Sequence, residues 1–402
     1  MRKLYLFRVR EILRECAFLT ATGLGVLALA GALKEARAQE NLKYEIIRIG
    51  RIISDPYEVY INNGGEIISS YPHALYTNGL MTELSLTGRD TGVSGINDRG
   101  EILVMYLDSR PNYKSFIYRA GEKIELDFLG YGMNNGGPPF APPYIPIGFG
   151  SVVGEHYFFS DTGENRRYKW DLEEIFHAQD LEVFLINNRS QIAGRADIVN
   201  TPTGQLVNCL VRFSLKLDFP PSPTFPPQAG EVIELEKDPN YPNNYNYVTR
   251  GINNKGQIAG FFGFFSITHP RPYACMWDES GKLIQLDVNP YNEAHAINDN
   301  GQIVGATIYG EPGTPFAVLY QNGKKINLND FTPEDSEFEK LENALDINNK
   351  GQIVGIGKTT EKETAIFLMN PIPKPSPDLN NDGIVNLYDL AEFANQWLTA
   401  EP

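Results

Sequence analysis

An all-β fold is what the sequence predicts, and three observations carry the prediction. A nonapeptide is written almost twice over, INNKGQIAG at 252–260 and INNKGQIVG at 347–355. Looser copies recur along the chain. Between them, short apolar runs alternate with turn residues, and helical periodicity is nearly absent before residue 385. A single site needs such a motif once, whereas a fold built from copies needs it many times.

Seven segments share an apolar residue, Asn, Asn or Asp, any residue, Gly and then a β-rich run: INNGGEII (61–68), INDRGEIL (96–103), MNNGG (133–137), INNRSQIAG (186–194), INNKGQIAG (252–260), INDNGQIVG (297–305) and INNKGQIVG (347–355). The mean interval between their first Asn residues is about 48 residues, in the range of β-propeller blades. The motif is a tight turn. Asn favours the first position of a type I turn, where its side chain accepts backbone N–H groups, and Gly three residues on supplies positive φ. A type I turn closed by a G1 bulge joins two strands. Asn253–Gly256 should therefore connect a strand ending near Ile252 to one starting near Gln257. In the fourth copy Ser190 replaces Gly, so that turn should be strained or differently shaped. In the third, Gly137 runs into Pro138 and Pro139, which displaces the second strand.

A second element follows each turn: HALYTNG (73–79), SFIYRAGE (115–122), HYFFSDTGE (156–164), LVNCLVRF (206–213), YACMWDESGK (273–282), FAVLYQNGK (316–324) and TAIFLMN (364–370). A third reads MTELSL (81–86), KIELDFL (123–129), KWDLEEIF (169–176), EVIELEK (231–237), KLIQLDV (282–288) and KINLNDF (324–331). Each unit thus has four strands, and the seventh lacks its last. KYEIIRIG (43–50) precedes the first turn and has the look of the missing strand. The expectation is a seven-bladed propeller closed by its N-terminal strand, which leaves no long free edges. An open solenoid is the alternative; its coils are usually shorter and need polar caps. The proline-rich stretches PPFAPPYIP (138–146) and FPPSPTFPPQ (219–228) are expected as surface loops, because proline cannot donate to a ladder.

The turn followed by an aromatic strand and an Asn-Gly turn resembles the HAF-type extracellular repeat family, named for a His-Ala-Phe strand start that His73-Ala74-Leu75 approaches here. The resemblance covers about residues 43 to 370. It implies secretion and a repeat-built β fold, and no established activity.

The first residues read as a signal peptide. MRKLYLFRVR is basic, CAFLTATGLGVLALAGAL (16–33) is apolar, and Ala36-Arg37-Ala38 places cleavage after Ala38. An uncleaved anchor is the alternative. No second apolar run approaches a membrane span, so the expected mature chain, 39 onward, is exported, extracellular or at the cell surface, and does not span the membrane. Removing residues 1–38 takes away seven Lys/Arg and three Asp/Glu, so the net charge of −15 becomes −19. Such a surface repels phosphate backbones, which argues against nucleic acid. Cys209 and Cys275 remain, as a disulfide or as two buried thiols.

After the extended linker PIPKPSP (371–377) comes DLNNDGIVNLYDLAEFANQWL (378–398). Asp378, Asn380, Asp382, Gly383, Asn386 and Asp389 stand at positions 1, 3, 5, 6, 9 and 12 of an EF-hand-type loop, with the Ile384 carbonyl at position 7. Alternate residues deliver oxygens to one side of the loop, Gly383 allows the sharp turn, and three carboxylates favour Ca2+ over Mg2+. Leu387, Leu390, Ala394, Trp397 and Leu398 follow at helical spacing, with Phe393 beside them. Asp at position 12 and the absence of an entering helix depart from an EF-hand and resemble a type I dockerin repeat. Dockerins carry two repeats and this chain one, so the apolar helix face is left to pack on the propeller, a second chain or a partner. The resemblance implies docking to a cohesin-like or other surface protein.

Five histidines, His73, His156, His177, His269 and His295, show no zinc-helix spacing. No nucleotide or nucleophile fingerprint stands in context, so no catalytic residue is assigned. Carboxylates such as Glu173, Glu174, Asp278 and Glu279 could hide a glycoside-cleaving pair, and Trp170, Trp277 and Trp397 could stack on sugars or pack in a core. The expected function is a secreted, non-catalytic binding or assembly protein, with a propeller face open to glycans and a calcium module for docking. A carbohydrate-active enzyme, glycoside hydrolase or polysaccharide lyase, is the alternative.

Overall fold

Asn253 shows how the repeated turn is made. The strand Tyr247–Ile252 ends one residue before it and the strand Ile258–Phe264 begins beyond it. The Gly256 N–H donates to the Asn253 carbonyl at 3.0 Å, and the Asn253 N–H to the Gln257 carbonyl at 3.0 Å. Gly256 sits at φ +84°, where a Cβ would be strained. Ser190 takes the same place at φ +57°. Its turn keeps the same shape, with the Ser190 N–H on the Asn187 carbonyl at 3.1 Å, so the substitution shows as strain alone.

The structure is a computed structural model describing residues 43–51, 58–70, 72–86, 89–109, 112–133, 151–154, 157–161, 167–176, 178–200, 205–216, 228–242, 246–264, 271–308 and 315–372. The chain divides into residues 46–370 and a second unit of residues 1–45 with 371–402. In the second, the Ile372 N–H donates to the Lys43 carbonyl at 2.8 Å.

The described strands form seven four-stranded sheets, numbered here in order of their first strands: Val59–Ile61, Arg89–Ile96, Gly132–Met133, Gln179–Ile186, Tyr247–Ile252, Asn292–Ile297 and Phe338–Ile347. Every described strand-to-strand register within them is antiparallel. Sheets 1 to 6 each add three more strands in chain order. Sheet 7 adds two, and Tyr44–Arg51 lies beside Thr364–Pro371 as its fourth. Arg48 fixes this seam through Glu363 at 2.9 Å and Glu337 at 3.6 Å. Each first strand packs against the next, and that of sheet 7 against that of sheet 1, so the first strands encircle an axis. This is an all-β propeller of four-stranded blades.

Alternation along the strands builds the core between sheets. In sheet 5, Ile258 and Phe262 face sheet 4 and join Ala193 and Leu210, while Ala259 faces sheet 6 and joins Ala294 and Ile303. Trp277 is fully buried, with its indole N–H on the Glu236 carbonyl at 2.8 Å, which makes it a core residue rather than a sugar platform. The third copy's second strand is displaced as expected: Gly132–Met133 pairs with Ser151–Gly154. Residues 134–150 and 217–227, which hold nearly all of both proline-rich stretches, lie outside the described residues.

Two expectations are corrected. LEEIF of the segment 169–176 is a short helix, Leu172–Phe176, after the strand Arg167–Asp171. Asp171 caps it by accepting from the Glu173 N–H at 2.9 Å. LNDF of the segment 324–331 is a 3-10 turn, with the Asn327 side chain accepting from the Asn329 N–H. In both, an Asx residue offers the backbone a local partner that outcompetes the ladder.

Candidate functional site

The first Asn of the motif does more than shape its own turn. Asn253 Oδ1 accepts from the Lys255 and Gln257 N–H groups, both at 3.0 Å. Its Nδ2 donates to Gln257 Oε1 at 2.8 Å and to the carbonyl of Asn298, in the next sheet, at 3.0 Å. All four hydrogen-bonding positions of the amide are therefore filled, which allows a polar side chain to stand 3% exposed. The same sheet-to-sheet bond runs from Asn62 to Asn97 (2.9 Å), Asn187 to Asn253 (2.7 Å), Asn298 to Asn348 (3.0 Å) and Asn348 to Asn62 (2.9 Å). The last of these joins the two ends of the ring.

Among the described residues, the second residue of each motif belongs to an outer ring. The Asn63 N–H and Nδ2 donate to the two oxygens of Asp98 at 2.7 and 2.9 Å, and those of Asn254 to Asp299 at 2.7 and 2.8 Å. The Asn349 N–H donates to Asn63 Oδ1 at 2.8 Å and its Nδ2 to Asp299 at 2.7 Å. The two carboxylates of this rim are thus held by amides. Together the rings and the Ile or Met before them, Ile61 through Ile347, line an axial cavity of about 160 Å³.

One step further along the axis, the chemistry diversifies. Five first strands carry a β-bulge three residues before the first Asn, which leaves Ser94, Phe184, Arg250, His295 and Leu345 out of the pairing. Tyr131 and Val59 hold the same place in sheets 3 and 1. Seven copies thus carry seven residue types here, beside an Asn that does not vary. Opposite the bulge, Gly194, Gly260, Gly305 and Gly355 close the motif, because a Cβ there would strike the carbonyl of the bulged strand. In the sequence, the recurrence of glycine at this one motif position is the signal that marks the bulge opposite.

Asp346 is the one carboxylate just before a motif's apolar residue. It accepts from the Ile61 N–H at 2.9 Å and the Ile347 N–H at 2.8 Å, across the junction of sheets 7 and 1. Burial pushes its carboxyl up from 3.8 to about 7, against the pull of these two donors. Tyr60 is raised by burial, then by Glu58 and Asp346, and is lowered by the charge of Arg250 from the far side of the ring.

The other residues singled out in the sequence are dispersed. His295 bonds the Ala344 carbonyl at 3.0 Å and Glu293 at 3.1 Å. The imidazole of His73 is lowered by burial, partly offset by Glu58. Glu173 accepts from the Leu181 N–H at 3.0 Å, and Asp278 shapes its turn by accepting from Ser280 and Lys282. Glu174 and Glu279 are exposed. Cys209 and Cys275 are free, buried thiols in different core clusters. Burial and Glu234 push the Cys209 thiol up to about 12. Trp170 belongs to the strand Arg167–Asp171, its side chain outside the description. His156, His177, His269, Trp397 and the loop residues Asp378, Asn380, Asp382, Ile384, Asn386 and Asp389 lie outside the described residues.

No family model and no curated protein matches the chain. Among solved structures, it is similar to the WD40 domain of SCAP from fission yeast, at 8% identity and TM-score 0.40, over 82% of this chain and 98% of that one. A gluconolactonase from Xanthomonas campestris aligns at 8% identity and TM-score 0.35, over 82% and 90%. The Aleuria aurantia lectin in complex with alpha-methyl-L-fucoside aligns at 9% identity and TM-score 0.30, over 74% and 98%.

Proposed function

We propose that this chain is a secreted, non-catalytic binding protein. Its ring of sheets is a rigid recognition scaffold that presents an axial face to a glycan, and a C-terminal calcium module docks it to a surface protein. The observation that supports the scaffold reading is the contrast between two levels of the same repeat. The Asn level is invariant and saturated with hydrogen bonds, so it holds the ring. The bulge level differs in every copy, which suits recognition on a fixed frame. The carboxylates Glu173 and Asp278 serve their own backbones.

In the docking module, Asp378, Asn380, Asp382, Ile384, Asn386 and Asp389 would hold Ca2+, and the helix after them would offer Leu387, Leu390, Ala394, Trp397 and Leu398 to a cohesin-like partner. The module's limits are residues 378–402, after the linker 371–377 and the repeats at 39–370.

A glycan array probed with the secreted chain, with and without EDTA, tests the binding reading; retention of a defined glycan set supports it. Turnover of any retained glycan would instead favour the enzyme. Calorimetric titration of the full chain with Ca2+ tests the module. Saturable heat that disappears in Asp382→Ala is expected, and no heat in the unsubstituted chain would refute the calcium site.

A further inference from the structure

Arg250 stands out among the bulged residues. Its strand, Tyr247–Ile252, is hemmed by neighbouring sheets on both faces and by Ile258–Phe264 along its outer edge. The side left open is the axis, and Arg250 is the exposed residue in the strand's middle. Among the described residues its guanidinium makes no hydrogen bond or ion pair, and it lies 5.6 Å from the Phe261 ring. Acidic residues exceed basic ones by 50 to 35, so an unpaired Arg inside the ring is not explained by a shortage of partners. Carboxylates on the inner strands and their turns are already engaged: Asp98 and Asp299 of the rim by amides, Asp346 by two backbone N–H groups, Glu58 by Ser70 and the Val93 N–H, Glu293 by His295.

At the equivalent position in sheets 3 and 4 stand two aromatics. Tyr131 is 37% exposed, and its ring centroid is 6.1 Å from that of Phe184. Arg195 lies over Phe184 at 5.7 Å and is fixed by the Tyr247 carbonyl at 2.9 Å. One level of the repeat therefore carries a guanidinium without a hydrogen-bonding partner and an aromatic pair of which Tyr131 is exposed and Phe184 half-buried. A guanidinium fork matches a carboxylate through two parallel hydrogen bonds. An aromatic face with an apolar body and a polar tip suits the C–H face of a pyranose.

We infer that the axial face at the bulge level binds a saccharide unit bearing a carboxylate, a uronate, with Arg250 taking the carboxylate and Tyr131 and Phe184 the ring. This deepens the glycan-binding reading and rests on it.

The test is calorimetry on the full chain with galacturonate and glucuronate oligosaccharides, their neutral counterparts, and acetate. The unsubstituted chain is compared with Arg250→Gln, Arg250→Lys and Tyr131→Ala, each checked for folding by near-UV circular dichroism. Uronate oligosaccharides should bind in preference to neutral ones. Arg250→Gln should weaken them by roughly tenfold or more, the loss expected for a charge-assisted hydrogen bond, and Arg250→Lys should restore only part. Neutral and acidic sugars bound alike, or binding unmoved by Arg250→Gln, would overturn the inference and leave the glycan reading standing. Acetate bound as tightly as the oligosaccharides would reduce the site to an anion site and overturn it too. No binding of any sugar would remove both readings. The comparison of acidic with neutral sugars on the unsubstituted chain decides the matter even where a variant fails to fold.

Discussion

Replacing Asn253 by Asp exchanges one nitrogen for one oxygen, and the ring geometry says what that costs. Both donors of the amide are lost, and a carboxylate oxygen is set against the Asn298 carbonyl, which cannot become a donor. Asn253→Asp should lower the unfolding free energy by about 3 kcal/mol, read from urea denaturation. Lys255→Gln, in the same turn but exposed, should change it by less than about 0.5 kcal/mol. Asp346 makes the second residue-level prediction. Its folded carboxyl titrates at about 7 and its ordinary value is 3.8. Between these values the folded chain holds a proton that the unfolded chain releases, so Asp346 favours folding below about 4, and that contribution is lost as pH rises through about 7. The stability of the unsubstituted chain relative to Asp346→Asn should therefore increase as pH falls across this window, in parallel denaturation series. A flat difference would refute the assigned environment.

The elements were legible in the sequence to the extent that local chemistry makes them. Asn253 and Gly256 specify their turn within four residues, so the hairpins and their strand order could be read directly. The bulges could not, because a bulge is defined by the partner strand, and its mark is a glycine about ten residues further on. Gly260 is the case to test. A Cβ there would strike the Val248 carbonyl, backbone that cannot rotate away. Gly79, by contrast, has positive φ, +83°, and open space around its missing Cβ. Gly260→Ala should cost about 2 to 3 kcal/mol from the clash, and Gly79→Ala about 1 kcal/mol from the backbone alone, by thermal or urea unfolding. The short helix at Leu172–Phe176 was missed although its signals are local. Its apolar residues Leu172, Ile175 and Phe176 already stand at helical spacing, and the Asp171 cap starts the turn.

At the scale of the whole molecule, the leftover strand at the N-terminus was the most informative feature of the sequence. It pointed to closure because the count of strands left one sheet short and one segment spare. The axial site was illegible for the opposite reason. Arg250, Tyr131 and Phe184 are brought to one level only when sheets far apart in the chain are wound around an axis. The amide bonds between sheets likewise link residues 35 to 286 positions apart. Closure is what gathers them, so it is the claim on which the site depends. It is tested most directly by hydrogen exchange of the full chain against a chain lacking residues 43–51. Closure predicts that alternate amides along Ala365–Met369, those facing Tyr44–Arg51, lose protection by orders of magnitude and that global stability falls. Unchanged protection along Ala365–Met369 would contradict it.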